Sequence, residues 1–501
     1  MIEGAVKVRN KEFFPLRDIP CLPLHKFQVA LSTGLAAGLF LAALPKLYGR
    51  VGKKEVIAVL RHDQRRRLYL LRTEIPSQWR SLAKEFPQVA PFERELAEES
   101  GCTLQGHPQP APLRYLPQTG TAADEAGRYI GSQSFLQAEG EEMHEVAVGP
   151  VHAGIIEPGH FRFLCHGETV FHLEIALGFQ HRGIEAALRD RIPDQRTLML
   201  METLAGDTTI GHSLAHCQAL EALAGIGVPE RAMDIRAIAL ELERIANHVG
   251  DLGAMAMDVG YAPTASFCGR LRGAFLNITA MLCGNRYGRG IVLPGGVGHD
   301  LDDVRIGAMI DQVKKHFIDV TEAATLLWNT PSVMARFEET GTLSRKQAKD
   351  LGMVGPAARA CGKEMDNRVD FPTGSYRRHR LPVSVWFTGD VYGRAFVRWL
   401  EIKRSVAFVL ARLQDLPTRE EQTPLGRLPA DQCIVSLVEG WRGSICHVAV
   451  TGPEGEIRTY KVVDPSVHNW PGLALAVRGE GIMDFPICNK SFNLSYCGHD
   501  L

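Results

Sequence analysis

The sequence predicts an α+β N-terminal domain followed by a mainly helical domain that carries a small β-sheet. Three observations lead to this prediction. The chain has 501 residues, more than one ordinary domain contains. Short apolar runs of strand length occur in its first part. After Asp194, apolar residues instead recur at spacings of three and four over long stretches, as in amphipathic helices.

The first domain alternates strand and helix patterns. Residues 56–60 and 68–71 are apolar runs separated by a polar, basic turn, which predicts an antiparallel hairpin. Residues 81–99 contain helical segments that should break near Pro87 and Pro91, because proline removes a helix hydrogen bond.

One stretch, residues 27–45, is uncharged and rich in leucine, alanine and glycine. Its length is near the lower limit for a membrane-spanning helix. It also contains polar side chains such as Gln28 and Ser32, and the charged segment 61–67 follows soon after. We therefore expect a buried helix of the first domain rather than a membrane span.

The composition divides the chain into two domains. Residues 108–117 are rich in proline, and residues 118–145 are polar, acidic and glycine-bearing, as in a linker or surface loop. We predict a first domain over residues 1–117, a linker over 118–145 and a second domain over 146–501.

The second domain is predicted to begin at residues 146–149 and to contain a strand at 170–178. Strands at 445–450 and 457–463 flank a Pro-Glu-Gly turn. Long helices are predicted at residues 214–224, 231–249, 306–327 and 392–413.

Charge and cysteine content restrict the class of protein. The formal net charge is −1, which does not indicate a nucleic-acid-binding surface. The eleven cysteines include no C-x-x-C pair, and we find no secretory leader. A reduced, cytoplasmic protein is therefore expected, with most cysteines packed as small apolar side chains.

A first group of motifs resembles the C-type subunit of complex I. The run Phe92-Glu93-Arg94-Glu95 is followed by Gly101 and by Gly106-His107-Pro108, as in that family. The alternative is an amphipathic helix N-terminus followed by a turn. The resemblance implies that residues 1–117 form an α+β domain like that of the C-type subunit.

A second group of motifs resembles the D-type subunit of complex I and the large subunit of group 4 NiFe-hydrogenases. The order of the two groups, C-type and then D-type, also resembles the fused subunits of some bacterial complexes. The motifs occur in family order over residues 146–501, which the resemblance makes a domain like the hydrogenase large subunit or the D-type subunit. They are G-P-V-H (149–152), F-Q-H-R-G-I-E (179–185), V-P-E-R-A with L-E-R-I-A-N-H (228–232 and 242–248), M-D-V-G (257–260), P-G-G-V (294–297) and G-D-V-Y-G-R (389–394).

The residues that would hold nickel and iron are missing. In the hydrogenases that this chain resembles, two C-x-x-C pairs supply four thiolates, the soft ligands that such a site needs. The corresponding positions hold Ala205, Thr208, Ser495 and Gly498. Cys497 is out of register by one residue. Cys488 and Cys497 form a second conceivable metal pair, although two packed thiols are the simpler interpretation. We predict that the chain binds no NiFe centre and no other metal.

The resemblance implies that the corresponding cavity in complex I relatives is the end of a quinone channel. A histidine beside a carboxylate suits proton donation to a quinone. His152 keeps the first histidine of the G-P-x-H loop, but Ile156 replaces the second, and Asp258 is the matching charge partner. Asp207 stands in the region that carries a tyrosine in the relatives. We predict His152, Asp207 and Asp258 as catalytic residues; the alternatives are a backbone-satisfied loop histidine for His152 and a helix cap for Asp258.

Two further residues match positions beside the terminal 4Fe–4S cluster of the relatives' small subunit. A fixed positive charge at Arg182 would raise the reduction potential of that cluster, and His248 would couple it to protons. The alternatives are a surface or salt-bridged residue for Arg182 and a satisfied core histidine for His248.

These observations leave three functions open. The first is an electron-transfer subunit of a membrane respiratory complex, related to NADH:quinone oxidoreductase or to hydrogenases, with a quinone-type cavity. The second is a scaffold with an inert ancestral site that transmits conformational change to ion-translocating subunits. The third is an active hydrogenase, which the four substitutions argue against.

The resemblance also implies partners and a location. We expect a small subunit that holds a 4Fe–4S cluster, antiporter-like membrane subunits, and a peripheral position on the cytoplasmic side of the inner membrane. The chain alone is expected to hold no cofactor, with quinone binding left open. NADH is expected to bind another subunit, because no convincing G-x-G-x-x-G follows a strand.

Overall fold

The computed structural model describes residue 2 and residues 4–48, 54–114, 135–140, 142–154 and 156–501. Its N-terminal region comprises β1 (Val6–Val8), β2 (Phe14–Pro15), α1 (Leu24–Ala36), β3 (Phe40–Ala43), β4 (Lys46–Tyr48), β5 (Lys54–His62), β6 (Arg67–Glu74), β7 (Gln78–Arg80), α2 (Ala90–Ser100) and β8 (Thr103–Gln105).

An antiparallel sheet forms the centre of this region. Its strands follow the order β1-β6-β5-β3, and β4 also pairs with β5. Val59 lies opposite Leu70 in the β5–β6 pair, so the predicted hairpin is confirmed. Apolar side chains on both strands are fully buried, which explains why these two runs are almost continuously hydrophobic.

The uncharged stretch 27–45 is only partly helical. Helix α1 buries Phe27, Leu31 and Leu35, but the chain turns at Gly38, whose φ of 85° favours glycine. It then continues as strand β3, so the prediction of one long helix is wrong in its second half. In the part of the chain that the structure describes, no helix is long and apolar enough to cross a membrane.

The prolines near α2 act differently from each other. Pro87 begins a 3₁₀ turn before the helix, as the predicted break requires. Pro91 instead lies in the first turn of α2, where its missing N–H would have had no helix partner. The predicted break at Pro91 is therefore wrong, and the helix runs on to Gly101, which adopts a left-handed conformation.

The second region contains most of the helices. Its strands are β9 (Met143–Val148), β10 (His160–His166), β11 (Thr169–Ala176), β12 (Val292–Leu293), β13 (Gly296–Val297), β14 (Gln432–Gly440), β15 (Gly443–Thr451) and β16 (Ile457–Val463). Its helices are α3 (Ile184–Leu188), α4 (Gln195–Met201), α5 (Thr209–Ala224), α6 (Glu230–Asp258), α7 (Ala262–Cys283), α8 (Asp303–Trp328), α9 (Pro331–Phe337), α10 (Arg345–Asp350), α11 (Gly355–Ala360), α12 (Asn367–Asp370), α13 (Val391–Gln414), α14 (Pro465–Ala476), α15 (Phe485–Phe492) and α16 (Tyr496–His499). Further 3₁₀ turns lie at Leu16–Asp18, Gly374–Arg377 and Ile482–Asp484.

All four predicted long helices are present, as α5, α6, α8 and α13. Helix α6 packs against α7 and α13, and every residue of α6 from Asp234 to Val249 is buried. Its buried stretch includes several charged side chains. Such groups need partners in the interior, so this helix also anchors polar networks.

The small sheet of the second region joins it to the first. Strands β14, β15 and β16 are antiparallel, and β2 pairs with β14. Cys433, Val448 and Val463 from this sheet share a hydrophobic core with Leu60 and Leu70 of the N-terminal sheet. The two predicted domains are therefore packed on a common core.

The remaining strand predictions are confirmed, as β11, β15 and β16. Strand β9 begins at Met143, inside the segment 118–145 that we predicted as a linker. Residues 118–134 of that segment lie outside the described residues. The domain boundaries themselves stay a prediction.

Candidate functional site

The positions that correspond to the lost cysteines lie on two buried turns. Ala205 and Thr208 are on the turn before α5, and Ser495 and Gly498 are at the end of the chain. We call these the 205–208 turn and the 495–498 turn. Ala205, Thr208 and Ser495 are all at most 3% exposed.

Arg442 connects the 205–208 turn to the C-terminal segment. Its two terminal nitrogens donate to the two carboxylate oxygens of Asp207, at 2.6 and 2.7 Å. Its Nε donates to the carbonyl of Asn493 at 2.5 Å. Burial alone would lower the pKa of Arg442, but Asp207 outweighs it and raises that pKa. A permanent cation therefore lies between the two chain segments.

The hydroxyl groups at the former ligand positions are already used. Thr208 Oγ1 accepts from Trp441 Nε1 at 3.1 Å and from Arg442 at 3.2 Å, and donates to Asp207. Ser495 Oγ accepts from the backbone N–H of Gly498 at 2.9 Å. Neither oxygen is free to replace a thiolate.

The other two positions offer no donor atom at all. Ala205 is fully buried, and a Cβ on Gly498 would lie 2.7 Å from Cγ of Asp464. The residues present therefore do not fit a nickel–iron centre. Elsewhere in the described residues, no group of three or more His, Cys, Asp or Glu side chains is arranged to hold a metal ion.

Asp464 occupies the space beside Gly498. Its Oδ2 accepts from His212 Nε2 at 3.0 Å, and its Oδ1 accepts from the Ser466 N–H at 2.8 Å. Ser466 Oγ in turn accepts from the N–H of Ser495 at 2.8 Å. Burial raises the pKa of Asp464, but the His212 and Ser466 hydrogen bonds and nearby Arg442 bring it below its usual range.

Glu243 supports the start of α5. Its carboxyl accepts from the N–H groups of Ile210 at 2.8 Å and Gly211 at 3.3 Å, so it caps this helix from α6. Burial raises the pKa of Glu243 to about 8, although these bonds lower it, and the Asp207 charge raises it further. Glu243 and Asp207 both line a cavity of about 10 Å³, which is room for about one water at most.

His152 lies in the loop that the G-P-V-H motif forms. Its Nε2 lies 2.9 Å from the carbonyl of Gly159, which fits the interpretation of a backbone-satisfied histidine. A Cβ on Gly149 would lie 2.2 Å from that same carbonyl and 2.7 Å from the His152 ring, so the loop closes only around glycine. Ile156 is half-buried against the main core.

Asp258 is the last residue of α6 and is exposed in this chain. The N-cap interpretation of Asp258 is therefore wrong, because the residue lies at the other end of its helix. Neither Asp258 nor His152 lines the small cavity beside Asp207. The joint catalytic role of these three residues stays a prediction.

Arg182 and His248 differ in their surroundings. The exposed Arg182 donates to the carbonyl of Leu204 at 3.1 Å, directly before the 205–208 turn. His248 is fully buried, with Nε2 2.9 Å from Glu401 and the ring edge-on to Trp441 at 6.0 Å. The structure thus gives His248 a partner within this chain, and the predicted roles beside a cluster stay predictions.

Glu401 is the centre of a network that sequence reasoning missed. It pairs with Arg359 at 2.5 Å and with Arg244 at 3.2 Å. We call the whole group the ion-pair network, which comprises Glu241, Arg244, His248, Arg359, Asp366, Arg368, Glu401 and Glu439. The signal was the series of charged side chains, among them those of L-E-R-I-A-N-H, within a helix whose apolar spacing predicts burial.

Sequence reasoning also missed Arg442 and Asp464, two charged residues beside the former ligand positions. Both lie in the C-terminal sheet region, far along the chain from the 205–208 turn. Neither belongs to a motif that the resemblance used, so only the fold shows their role.

Comparison with known proteins identifies the family. Residues 258–425 match the family described as the 49 kDa subunit of respiratory-chain NADH dehydrogenase. The chain is 30% identical over 352 residues to the carbon monoxide-induced hydrogenase of Rhodospirillum rubrum, covering 70% of this chain and 97% of the relative. It is 31% identical over 328 residues to the D-type subunit of NADH-quinone oxidoreductase from Clostridium beijerinckii, covering 65% of this chain and 84% of the relative.

This chain belongs to the family of the complex I D-type subunit and the membrane-bound hydrogenases. A further member, the membrane-bound hydrogenase subunit alpha of Pyrococcus furiosus, is 27% identical over 370 residues, covering 70% of this chain and 85% of the relative. The predicted family is thus confirmed. Its members are subunits of multisubunit oxidoreductases, so this family member is a subunit of an oxidoreductase complex and has partner subunits.

Proposed function

We propose that this chain is the peripheral-arm subunit of a membrane-bound respiratory complex, related to NADH:quinone oxidoreductase and to hydrogenases, that works without a nickel–iron centre. The observation that carries this proposal is Arg442, whose guanidinium joins Asp207 on the 205–208 turn to Asn493 beside the 495–498 turn. A fixed cation and two side chains without donor atoms replace the ligands that a metal would need.

The position of Arg182 supports docking of an iron–sulfur subunit. Arg182 matches a position beside the cluster in the relatives, and it is exposed in this chain. Val151, at 78%, and Met257, at 59%, are also exposed, but single exposed apolar side chains are normal on a protein surface, so the placement rests on Arg182. We place the small 4Fe–4S subunit over Arg182.

A redox cavity would then form between the two subunits. His152 and Asp258 would line it as proton donors for a quinone-type acceptor, with Asp207 as the carboxylate nearest the old metal position. Antiporter-like membrane subunits would couple electron transfer to ion translocation, with this chain on the cytoplasmic side of the inner membrane.

The purified complex tests this proposal. Replacing His152 by Ala should lower electron transfer to a quinone analogue by about tenfold or more, because a positioned acid is lost. Replacing His144, an exposed strand histidine, by Ala is the matched control and should leave the rate unchanged. An unchanged rate for H152A in an assembled complex would reject the catalytic role.

Two more measurements test the absence of nickel and the position of Arg182 beside the partner's 4Fe–4S cluster. Elemental analysis should show no stoichiometric nickel in the complex; finding it would overturn the proposal. Replacing Arg182 by Met should lower the midpoint potential of the partner's cluster, since a fixed positive charge is removed. An unmoved potential in an EPR titration would reject the placement of Arg182 beside that cluster.

A second candidate function is a scaffold with an inert ancestral site. The specific observation in its favour is the cavity of about 10 Å³ at Asp207, which is too small for a quinone head group. A complex in which H152A and R182M both leave electron transfer unchanged, while loss of this subunit abolishes ion translocation, would favour the scaffold.

A further inference from the structure

A row of buried polar side chains runs between α5 and the C-terminal sheet. His212 and His216 lie one turn apart on α5, so both rings face the same side of the helix. His447 on β15 and Tyr460 on β16 meet them from the sheet. All four residues are at most 4% exposed.

The row is continuous from end to end. Asp464 Oδ2 lies 3.0 Å from His212 Nε2, and His212 Nδ1 lies 3.1 Å from His447 Nε2. His447 Nδ1 lies 2.9 Å from the Tyr460 hydroxyl. That hydroxyl lies 2.8 Å from His216 Nδ1. We call these five residues the relay.

The charged end, together with neutral rings, sets the direction of every hydrogen bond. An ionised Asp464 can only accept, so His212 carries a proton on Nε2, and a neutral His212, which the relay requires, then accepts on Nδ1. His447 must then donate from Nε2 and accept on Nδ1 from the Tyr460 hydroxyl. Tyr460 is left to accept from His216 Nδ1–H. Each of the other four members therefore donates once toward Asp464 and, apart from His216, accepts once from the outer side.

The neutral state of His216, His447 and Tyr460 follows from burial. Burial lowers the pKa of His216 to about 3 and lowers that of His447 well below its usual value, with His212 and His216 adding to the effect on His447. Burial also raises the pKa of Tyr460 well above its usual range. The middle of the relay thus holds no standing charge, and a proton can enter it only from the ends.

The outer end is an unused acceptor. His216 Nε2 is buried and has no hydrogen-bond partner among the described residues. His216 lines a cavity of about 650 Å³ whose walls also include Asp194, Arg427 and Glu454. These three side chains are polar, and a cavity of this size holds water.

We propose that the relay conducts protons between this outer cavity and Asp464 at the former metal position. When the packing around His216 opens toward the cavity, a proton from cavity water binds His216 Nε2, and the Nδ1 proton of His216 passes to Tyr460. The Tyr460 proton passes to His447 Nδ1, the His447 Nε2 proton to His212 Nδ1, and the His212 Nε2 proton to Asp464. One proton enters and one arrives, and each histidine ends as its other tautomer.

This inference goes beyond the proposed function, because it requires neither a quinone nor a cluster. It gives the altered site a proton supply through residues that the proposed quinone and cluster roles do not use.

The test uses the full chain with ¹⁵N-labelled histidine and follows side-chain N–H exchange into D₂O by NMR. The N–H protons of His212 and His447 should exchange about tenfold or more faster than the Nε2–H of His248, because the relay connects them to water. His248 is the internal control: like His212 it is fully buried and hydrogen-bonded to a carboxylate, Glu401, but it lies outside the relay. Equal protection of all three histidines would overturn the proposal.

Replacing Tyr460 by Phe should slow His212 exchange by about tenfold or more and leave His248 unaffected. The matched variant is Y376F, which removes a buried hydroxyl bonded to Glu241 outside the relay and should not slow His212. An unchanged His212 rate in Y460F would reject conduction.

A third variant keeps the proposal testable if Y460F does not fold. In H216A, exchange at His212 should slow and should recover on addition of imidazole, which the outer cavity can admit. Recovery that appears equally at His248 would show general base catalysis and would count against the relay.

Discussion

Two buried polar networks lie within a short distance of each other in this protein, and they differ in what their members carry. The ion-pair network around Glu401 consists almost entirely of permanent charges. Burial raises the pKa of Glu401, but Arg359 and Arg244 outweigh it and hold that pKa well below its usual range. The relay holds one carboxylate and a row of neutral rings.

This difference in charge determines whether a network can conduct protons. A pair of fixed charges cannot lose a proton without leaving its partner uncompensated in the interior, so the ion-pair network is locked. Neutral histidine and tyrosine both donate and accept, so a proton can pass through them without a lasting charge. The first network holds α6, α11, α12, α13 and β14 in place, and the second is suited to transport.

The strongest test of the difference between the two networks is to remove the central charge of the ion-pair network. Replacing Glu401 by Gln should lower the free energy of unfolding of the full chain by about 3–5 kcal/mol, because Arg359 and Arg244 lose their buried counter-charge. Guanidinium denaturation measures this cost. The control is E230Q, which removes a partner of Arg378 at a position 56% exposed and should cost less than about 1 kcal/mol. Equal costs would mean that the network is not locked by its charges.

Glu243 provides a pH-dependent comparison with Glu401. Its pKa in the folded chain is about 8, above that of an unfolded glutamate, so its contribution to stability is complete at low pH. That contribution is lost as pH rises from about 5 to 8, by at most about 1.4 kcal/mol per pH unit. Replacing Glu243 by Gln should flatten the loss in denaturation curves recorded across this range. A wild-type curve and an E243Q curve of equal slope would contradict the raised pKa.

The smallest effect should come from restoring a cysteine at the inner end of the relay. G498C places a Cβ 2.7 Å from Asp464 Cγ, so it should cost about 1–3 kcal/mol through overpacking. S495C, at a position that already has a side chain, is the matched control and should cost less. Neither variant should bind nickel, since Ala205 and Thr208 remain. Nickel bound by G498C would show that the Asp464 side chain moves away from position 498 at little cost.

Much of the fold could be predicted because its signals are local. The four long helices and the β5–β6 hairpin follow from the spacing of apolar residues, and the structure contains all of them. The stretch 27–45 was harder to predict because an uncharged apolar run fits a helix and a buried strand equally well. The turn at Gly38 separates the helix from the strand in this stretch. A single glycine is a weak signal for such a turn in a sequence that contains 49 glycines.

The candidate site was predictable only in part. The identities at positions 205, 208, 495 and 498 are visible in the sequence, and with them the loss of metal ligands. Arg442 and Asp464 were not predictable, because their partners lie far away along the chain, 235 residues for Asp207 and 252 for His212. Asp258 was placed beside His152 by resemblance, and its exposure at the end of α6 follows only from the fold.

The sequence by itself therefore determined the family, the helices and the absence of four sulfur ligands, since each depends on residue type or on short-range spacing. Only the tertiary structure shows that Arg442 and Asp464 lie beside the former ligand positions and that His212 and His447 are hydrogen-bonded. A hydrogen-bonded row that draws on a helix, two strands and the N-cap of another helix has no pattern along the chain, because its order is set by packing in space.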